Sequence, residues 1–157
     1  MSIPTITAAV PAATPTGPCV LVLDDDRVSR MALSRPLQKN GYQVVEAARI
    51  SEAHALLAAH DVKVLIVDGL LPDGTGLEFI TDLRKQGNNA PVFFVSSFFK
   101  DLQSYGVLRR ELRVAGVLPK PFSAEQLTAS VGNALAAEAA AHGTGSVEAP
   151  RVRRAAS

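Results

Sequence analysis

Polar side chains with reactive chemistry follow four separate runs of apolar residues in this sequence. Asp24 and Asp25 come directly after the first run, Asp68 after a later one, Ser96 after a third and Lys120 after a fourth. A carboxylate can act as a nucleophile, and an ammonium and a hydroxyl group can bind the oxygens of the group that it attacks. Brought together, these side chains would form a site suited to phosphoryl transfer.

The three carboxylates also predict a bound cation. Two like charges about 4 Å apart repel by on the order of 4 kcal/mol at an effective dielectric near 20. Such a cluster therefore needs a proton or a metal ion. Neither histidine nor cysteine occurs at these positions, so only oxygen ligands are offered. Oxygen ligands suit Mg²⁺, which takes one or two carboxylates and keeps several waters.

The segment around Asp68 indicates how that side chain is positioned. Residues 64–67 are an unbroken apolar run, typical of a parallel strand buried on both faces. Residues 72–74, Pro-Asp-Gly, favour a turn, and Thr75 with Glu78 matches a capping box that opens a helix. Asp68 is therefore predicted at the carboxyl end of a central strand, where open α/β sheets bind their ligands.

Strand and helix patterns alternate along the chain. The predicted strands are 20–23, 43–47, 62–68, 91–95 and 116–118. The predicted helices are 27–40, 51–60, 76–86, 98–114 and a last one that begins near Ser123. This alternation predicts an α/β fold with a five-stranded parallel sheet and helices on both faces. Right-handed crossovers favour the flavodoxin-like (βα)5 arrangement with strand order 2-1-3-4-5.

Composition sets the domain organisation that we expect. The chain has 157 residues, a net charge of +1 and one cysteine, which fits a single domain in a reducing compartment such as the cytoplasm. No apolar run is long enough to cross a membrane. We expect a disordered leader at 1–18, a folded domain at 19–141 and a flexible basic tail at 142–157.

Four motifs give the chain a family resemblance. They are the acidic segment 22–26, the turn segment 71–76 after Asp68, the hydroxyl segment 95–97 and the Lys-Pro-Phe segment 120–122. Together they resemble the receiver domain of bacterial two-component response regulators, and the likeness covers about residues 19–140. A stand-alone, single-domain receiver is expected, because fewer than twenty residues follow Ala141 and leave no room for a DNA-binding domain.

The resemblance implies a role for each site residue. Asp68 would accept a phosphoryl group from a sensor histidine kinase or a phosphotransfer protein. Mg²⁺ would be held by Asp24, Asp25, Asp68 and the backbone carbonyl of Leu70. By the same likeness Ser96 and Lys120 would bind the phosphoryl oxygens, and the bond before Pro121 would be cis. The protein would be no enzyme beyond its own Mg²⁺-dependent phosphorylation and dephosphorylation. It would signal through contacts with a downstream protein that the sequence does not identify.

The region that carries the signal departs from the family pattern. Receivers usually have an aromatic residue three positions before the lysine, and Val117 stands there. Segment 98–114 is also atypical, and we expect a switch that runs through residues 97–106, with Phe98 or Phe99 moving in place of the aromatic residue. The same departures leave open a pseudo-receiver that binds partners without phosphorylation.

An alternative of another class is a phosphatase resembling the haloacid dehalogenases. Residues 24–28 fit the motif of that family, with Asp24 as the nucleophile and Ser96 and Lys120 in supporting roles. That family also has acidic residues on a strand after the lysine, and this chain lacks them, because no aspartate follows Asp101. A lysine at a strand end is expected to be exposed enough that Lys120→Ala changes stability by less than about 1 kcal/mol, or stabilises the chain if Lys120 is partly desolvated.

Overall fold

The computed structural model describes residues 16–96, 106 and 109–147, with backbone alone for Ser96 and residues 141–147. Its centre is a sheet of five parallel strands in the order β2-β1-β3-β4-β5. The strands are β1 Cys19–Leu23, β2 Gln43–Ala47, β3 Val62–Asp68, β4 Val92–Ser96 and β5 Gly116–Pro119. The predicted flavodoxin-like fold and strand order are confirmed.

Four helices flank the sheet within the described residues. They are α1 Arg27–Lys39, α2 Ile50–Ala59, α3 Gly76–Lys85 and α4 Ala124–Val147. Side chains fix where three of them begin. Asp26 caps α1, Thr75 and Glu78 form the predicted box at α3, and Ser123 and Gln126 exchange hydrogen bonds at α4. Each cap satisfies N–H groups that a helix leaves unpaired in its first turn.

The core lies on both faces of the sheet, because alternate residues of each parallel strand point to opposite sides. The face covered by α2 and α3 buries Leu21, Leu23, Leu65, Val67, Ala53, Phe79, Ile80 and Leu83. The face covered by α1 and α4 buries Val20, Val22, Val64, Ile66, Leu33, Leu37, Leu127 and Val131. Burying a large aliphatic or aromatic side chain contributes about 1.5–3 kcal/mol, so these two layers hold the strand ends in fixed positions.

Two segments bear on the predicted domain organisation. Residue 106 and residues 109–111 are helical, whereas the rest of the predicted switch segment, including Phe98 and Phe99, lies outside the described residues. Helix α4 extends to Val147, past the predicted domain boundary at 141. The alanine-rich run at 136–141 has high helix propensity and carries the helix onward. Of the helices described here, none has both the length and the apolar character to span a bilayer.

Candidate functional site

Three aspartates meet at the carboxyl edge of the sheet. One side-chain oxygen from each of Asp24, Asp25 and Asp68 lies within 4.8 Å of the others. Asp24 follows β1 and is fully buried, Asp25 is exposed, and Asp68 ends β3 with its side chain 13% exposed. The shared direction of β1 and β3 brings these residues together, as their positions after the apolar runs predict.

Lys120 connects this cluster to the far side of the sheet. Its Nζ donates to Oδ2 of Asp24 over 3.2 Å and to Oδ1 of Asp68 over 3.1 Å. The Lys120 side chain is only 22% exposed, so the expectation of an exposed lysine is wrong and the alternative of a partly desolvated one applies. It follows β5, two strands away from β3, and its long stem folds back over the edge of the sheet because two carboxylates attract it.

The electrostatics of the cluster raise two pKa values. Burial of the Asp68 carboxyl is the main cause that raises its pKa, and the nearby charge of Asp24 adds to it; the hydrogen bond from Lys120 opposes both. Burial lowers the pKa of Lys120, but the hydrogen bond to Asp68 and the charges of both carboxylates outweigh it, so its pKa is raised. Both directions follow from an excess of negative charge at a partly desolvated site.

Asp24 is held by a ring of local contacts. Its Oδ1 accepts from the backbone N–H of Asp26 at 2.9 Å, and its Oδ2 accepts from the hydroxyl of Ser29 at 2.5 Å as well as from Lys120. Arg30 donates to the Asp24 carbonyl oxygen at 2.7 Å and pairs with Glu46 at 3.1 Å. These partners let a buried carboxylate keep its hydrogen bonds.

The sequence does not single out Ser29 as a site residue. A signal for it exists, because Ser29 lies three residues after the helix cap Asp26 and therefore in the first turn of α1. Side chains of a first turn lie close to the strand end that precedes the helix. Only the tertiary placement of Asp24 shows that the hydroxyl reaches it.

The loop after Asp68 is built by close backbone contacts. The N–H of Leu70 donates to Oδ2 of Asp68 at 3.2 Å, and the N–H of Gly76 donates to the Gly69 carbonyl at 3.0 Å. A short antiparallel ribbon pairs Leu70–Leu71 with Gly74–Thr75. The turn therefore places the start of α3 directly against the end of β3.

Asp73 ties the same loop to another helix. Its Oδ1 and Oδ2 accept from the N–H groups of Ile50 at 2.8 Å and Ser51 at 3.1 Å, at the start of α2. These bonds lower the pKa of the Asp73 carboxyl, and the bond from the Ile50 N–H has the largest effect. The N-cap residue of α2, Arg49, provides no side-chain cap of its own, so Asp73 serves in its place.

The remaining predicted residues lie at or near the same edge. Ser96 ends β4 opposite Pro119 of β5, and its side chain lies outside the described part of the structure. The Lys120–Pro121 peptide bond is cis. Val117 pairs with Phe94 and packs, half-buried, against the core on the α2 and α3 side.

The donor set fits a hard divalent cation. All three aspartates offer oxygen, and their three negative charges exceed the single positive charge of Lys120 by two. Asp25 is exposed, so a hydrated ion can reach the cluster from solvent. This combination suits Mg²⁺, which keeps part of its water shell and takes few protein ligands.

Fold and site together define a flavodoxin-like α/β domain with an acidic, cation-competent site at the carboxyl ends of its strands. Residues 20–132 match the sequence model of the response regulator receiver domain. The chain therefore belongs to the receiver domain family of the response regulators of two-component signalling.

Individual relatives agree with this assignment. The chain is 31% identical over 118 residues to the aerobic respiration control protein ArcA of Escherichia coli, covering 75% of this chain and 48% of ArcA. It is 36% identical over 110 residues to response regulator MprA of Mycolicibacterium vanbaalenii, covering 70% and 47%. The receiver domain of the Francisella response regulator 1452 is similar in structure, with a TM-score of 0.69, 28% identity and coverage of 75% and 96%. The chain spans about half the length of these two curated relatives.

Proposed function

We propose that Asp68 accepts a phosphoryl group from a sensor histidine kinase or a phosphotransfer protein, and that the phosphorylated chain signals through contacts with a downstream protein. The observation that carries this assignment is the meeting of Asp68 with Asp24, Asp25 and Lys120 at one sheet edge. The Asp68 side chain is 13% exposed, so a donor phosphate can reach it.

In the proposed reaction an oxygen of Asp68 attacks phosphorus. The bond from phosphorus to the donor histidine nitrogen breaks, the nitrogen keeps the electron pair, and an acyl phosphate forms on Asp68. Mg²⁺, held by Asp24, Asp25, Asp68 and the Leu70 carbonyl, would supply positive charge when bound.

Two further side chains have proposed roles at the phosphoryl group. Lys120 already binds Asp68, so its ammonium group needs only a short movement to a phosphoryl oxygen. Ser96 ends the adjacent strand β4, from which we propose that its hydroxyl binds a second phosphoryl oxygen. The new group adds about −1.5 to −2 charges, which gives both side chains a reason to move toward it.

A nucleophilic role for Asp24, as in a haloacid dehalogenase-like phosphatase, finds no support. Asp24 is fully buried, and its oxygens accept from Asp26, Ser29 and Lys120. Family membership also points away from that class. We propose that the chain is a signalling protein whose only chemistry is its own Mg²⁺-dependent phosphorylation and dephosphorylation.

Further proposals concern the setting of the domain. We propose a receiver domain at 19–141, with a leader at 1–18 and a basic tail at 142–157 into which α4 continues as far as Val147. We propose that it acts in the cytoplasm. Val117 occupies the position of the usual aromatic switch residue and is β-branched, with few rotamers to change between. We propose that residues 97–106 carry the conformational response instead.

The test is phosphorylation by acetyl phosphate, followed by location of the phosphate by mass spectrometry. Wild-type chain should gain one phosphoryl group on Asp68 in Mg²⁺ and none in excess chelator. Asp68→Asn should gain none. The matched control is Asp73→Asn. Asp73 lies five residues after Asp68, and its exposed carboxylate caps α2, so this variant should be labelled like wild type. A wild-type chain that stays unlabelled by acetyl phosphate and by kinases would instead be a pseudo-receiver.

A further inference from the structure

Ser29 makes the shortest side-chain contact described for Asp24. Its Oγ donates to Asp24 Oδ2 over 2.5 Å, and Lys120 Nζ donates to the same oxygen over 3.2 Å. The Asp26 N–H donates to Oδ1 over 2.9 Å. A carboxylate has about four acceptor sites, so these three bonds leave one, on Oδ1. The Asp24 carboxylate is thus oriented almost completely by the chain itself.

The hydroxyl of Ser29 is placed by the cap of α1. Asp26 is the N-cap, and its Oδ2 accepts from the Ser29 N–H over 2.8 Å. The Asp26 N–H in turn donates to Asp24. Asp24, Asp26 and Ser29 therefore close a ring of three hydrogen bonds. Within that ring the backbone of Ser29 is fixed, and its hydroxyl points at Asp24 before any ligand arrives.

We propose that Ser29 is a positioning residue of the cation and phosphoryl site, acting through Asp24. This role rests on the proposed phosphorylation of Asp68. When Lys120 moves to a phosphoryl oxygen, Asp24 Oδ2 loses one of its two donors. Asp24 is fully buried, and leaving a buried acceptor with fewer donors costs free energy. Ser29 then keeps Oδ2 bonded, so that Oδ1 stays directed at the cation while Lys120 is engaged elsewhere.

Partners that orient a metal ligand change metal affinity by about 10- to 100-fold when they are removed. Ser29→Ala in the full chain should therefore weaken Mg²⁺ binding, measured by isothermal titration calorimetry, by about 10-fold. Ser29→Thr keeps the hydroxyl and should stay within about threefold of wild type. Ser34→Ala is the matched control, because Ser34 lies in the same helix with a buried hydroxyl and no described partner.

If Ser29 only stabilised the fold, its replacement would lower stability without producing this pattern of Mg²⁺ affinities. Urea unfolding of each variant separates the two effects, since Mg²⁺ affinity is measured only under conditions where every variant is folded. If Ser29→Ala does not fold, Ser29→Cys, a much weaker donor of similar size, replaces it in the comparison with Ser29→Thr. A Ser29→Ala or Ser29→Cys affinity within twofold of wild type overturns the role, and so does a Ser29→Thr loss as large as that of the alanine variant.

The partnership with Lys120 gives an independent readout. Lys120→Ala alone removes a positive charge from the site and should strengthen Mg²⁺ binding. In Ser29→Ala/Lys120→Ala both donors to Asp24 Oδ2 are gone, so the loss of Mg²⁺ affinity caused by Ser29→Ala should be larger in the Lys120→Ala background than in wild type. Equal losses in the two backgrounds would show that the two residues act separately and would contradict the proposal. If the wild-type chain binds no Mg²⁺ and takes up no phosphate, the proposed function is overturned as well. If the wild-type chain binds Mg²⁺ and takes up phosphate, and the Ser29 variants bind Mg²⁺ as tightly as wild type, only the role of Ser29 is overturned.

Discussion

The Nζ of Lys120 lies 3.1 Å from Oδ1 of Asp68, although 52 positions separate the two residues in sequence. With the 3.2 Å contact to Asp24, this bond joins the ends of β1, β3 and β5 through one ammonium group. Lys120 thus has two functions before any phosphoryl group arrives. It neutralises part of a crowded acidic site, and it lies beside an oxygen of Asp68, the proposed phosphoacceptor.

Replacing Lys120 by alanine should destabilise the chain in the absence of Mg²⁺. Removing one partner leaves buried Asp24 and its neighbours with less counter-charge, which we expect to cost about 1–3 kcal/mol. Because the pKa of Lys120 is raised on folding, its contribution is present at neutral pH and is lost only as pH rises above about 10.4 through the folded value. Urea unfolding at pH 7 with excess chelator measures the loss.

The matched control is Lys63→Ala. Lys63 pairs with Asp61 at 2.9 Å, but both side chains are largely exposed, at 52% and 83%. Such surface pairs contribute about 0–1 kcal/mol, so this variant should unfold close to wild type. Saturating Mg²⁺ should restore part of the stability of Lys120→Ala and leave Lys63→Ala unchanged relative to wild type. Equal stability of the two variants in chelator would contradict a structural role for Lys120.

Asp68→Asn should stabilise the chain at neutral pH without Mg²⁺. The pKa of Asp68 is raised in the folded state, so between about pH 3.9 and the folded pKa the native state binds more protons than the unfolded chain. Stability from this group therefore falls as pH rises through that interval, and an uncharged amide escapes the penalty. The urea midpoint of unfolding should be higher for Asp68→Asn than for wild type. The difference, measured from pH 4 to 8, should grow as the pH rises from about 3.9 to the folded pKa of Asp68.

Asp73→Asn should behave with the opposite sign. The pKa of Asp73 is lowered, so its stabilising effect is present above about pH 3.9 and is lost as pH falls through the folded value. Removing this charge should lower the midpoint at pH 7, because the bonds to the Ile50 and Ser51 N–H groups weaken. A shift of the same sign for both variants would mean that the site charges do not control the pH dependence.

The parts of the fold that depend on local pattern follow from the sequence. Strands β2 and β3 have the predicted bounds. The apolar run of β3 ends at Asp68 and Gly69, two residue types that are depleted in strands. The capping box of Thr75 and Glu78 forms as expected, because its partners lie within one helical turn. Asp24, Asp25 and Asp68 come together because parallel strands share a direction.

Contacts that depend on tertiary placement could not be predicted from the sequence. The burial of Lys120 arises because its stem bends back across the sheet edge to two carboxylates, which no local pattern indicates. Asp73 marks a turn in the sequence, yet its carboxylate caps a helix that begins 23 residues earlier. The Ser29 contact required the position of Asp24 in three dimensions.

A buried hydroxyl in α1 offers a direct test of packing. Ser34 is 1% exposed, and its Oγ has no hydrogen-bond partner in the described part of the structure. An unpaired buried hydroxyl costs about 1–3 kcal/mol, and alanine is the better helix former. Ser34→Ala should therefore raise the free energy of unfolding by about 1 kcal/mol in urea titrations. The reverse change at a buried helical site, Ala53→Ser, should lower it. Loss of stability in Ser34→Ala would reveal a partner for the hydroxyl.

Gly76 controls how closely helix α3 can approach Asp68, the proposed phosphoacceptor. A Cβ at this position would lie 2.3 Å from the carbonyl oxygen of Asp68 and 3.1 Å from a methyl carbon of Val67. The obstructing oxygen belongs to the backbone of a central strand, which cannot rotate away. Gly76→Ala must therefore push the start of α3 outward, breaking the bond from the Gly76 N–H to the Gly69 carbonyl.

We expect Gly76→Ala to lose about 1–3 kcal/mol of stability, or more, because overpacking forces the backbone to shift. It should also slow phosphorylation by acetyl phosphate, since the displaced loop carries the Leu70 N–H that binds Asp68. The matched control is Gly132→Ala in α4, whose Cβ would lie 3.6 Å from the Tyr42 hydroxyl, an ordinary contact. In a helix interior that change should gain about 0.5–1 kcal/mol and leave phosphorylation unaltered. If Gly76→Ala unfolds at the wild-type urea concentration and is phosphorylated at the wild-type rate, the close approach of α3 to Asp68 is unimportant for both fold and site.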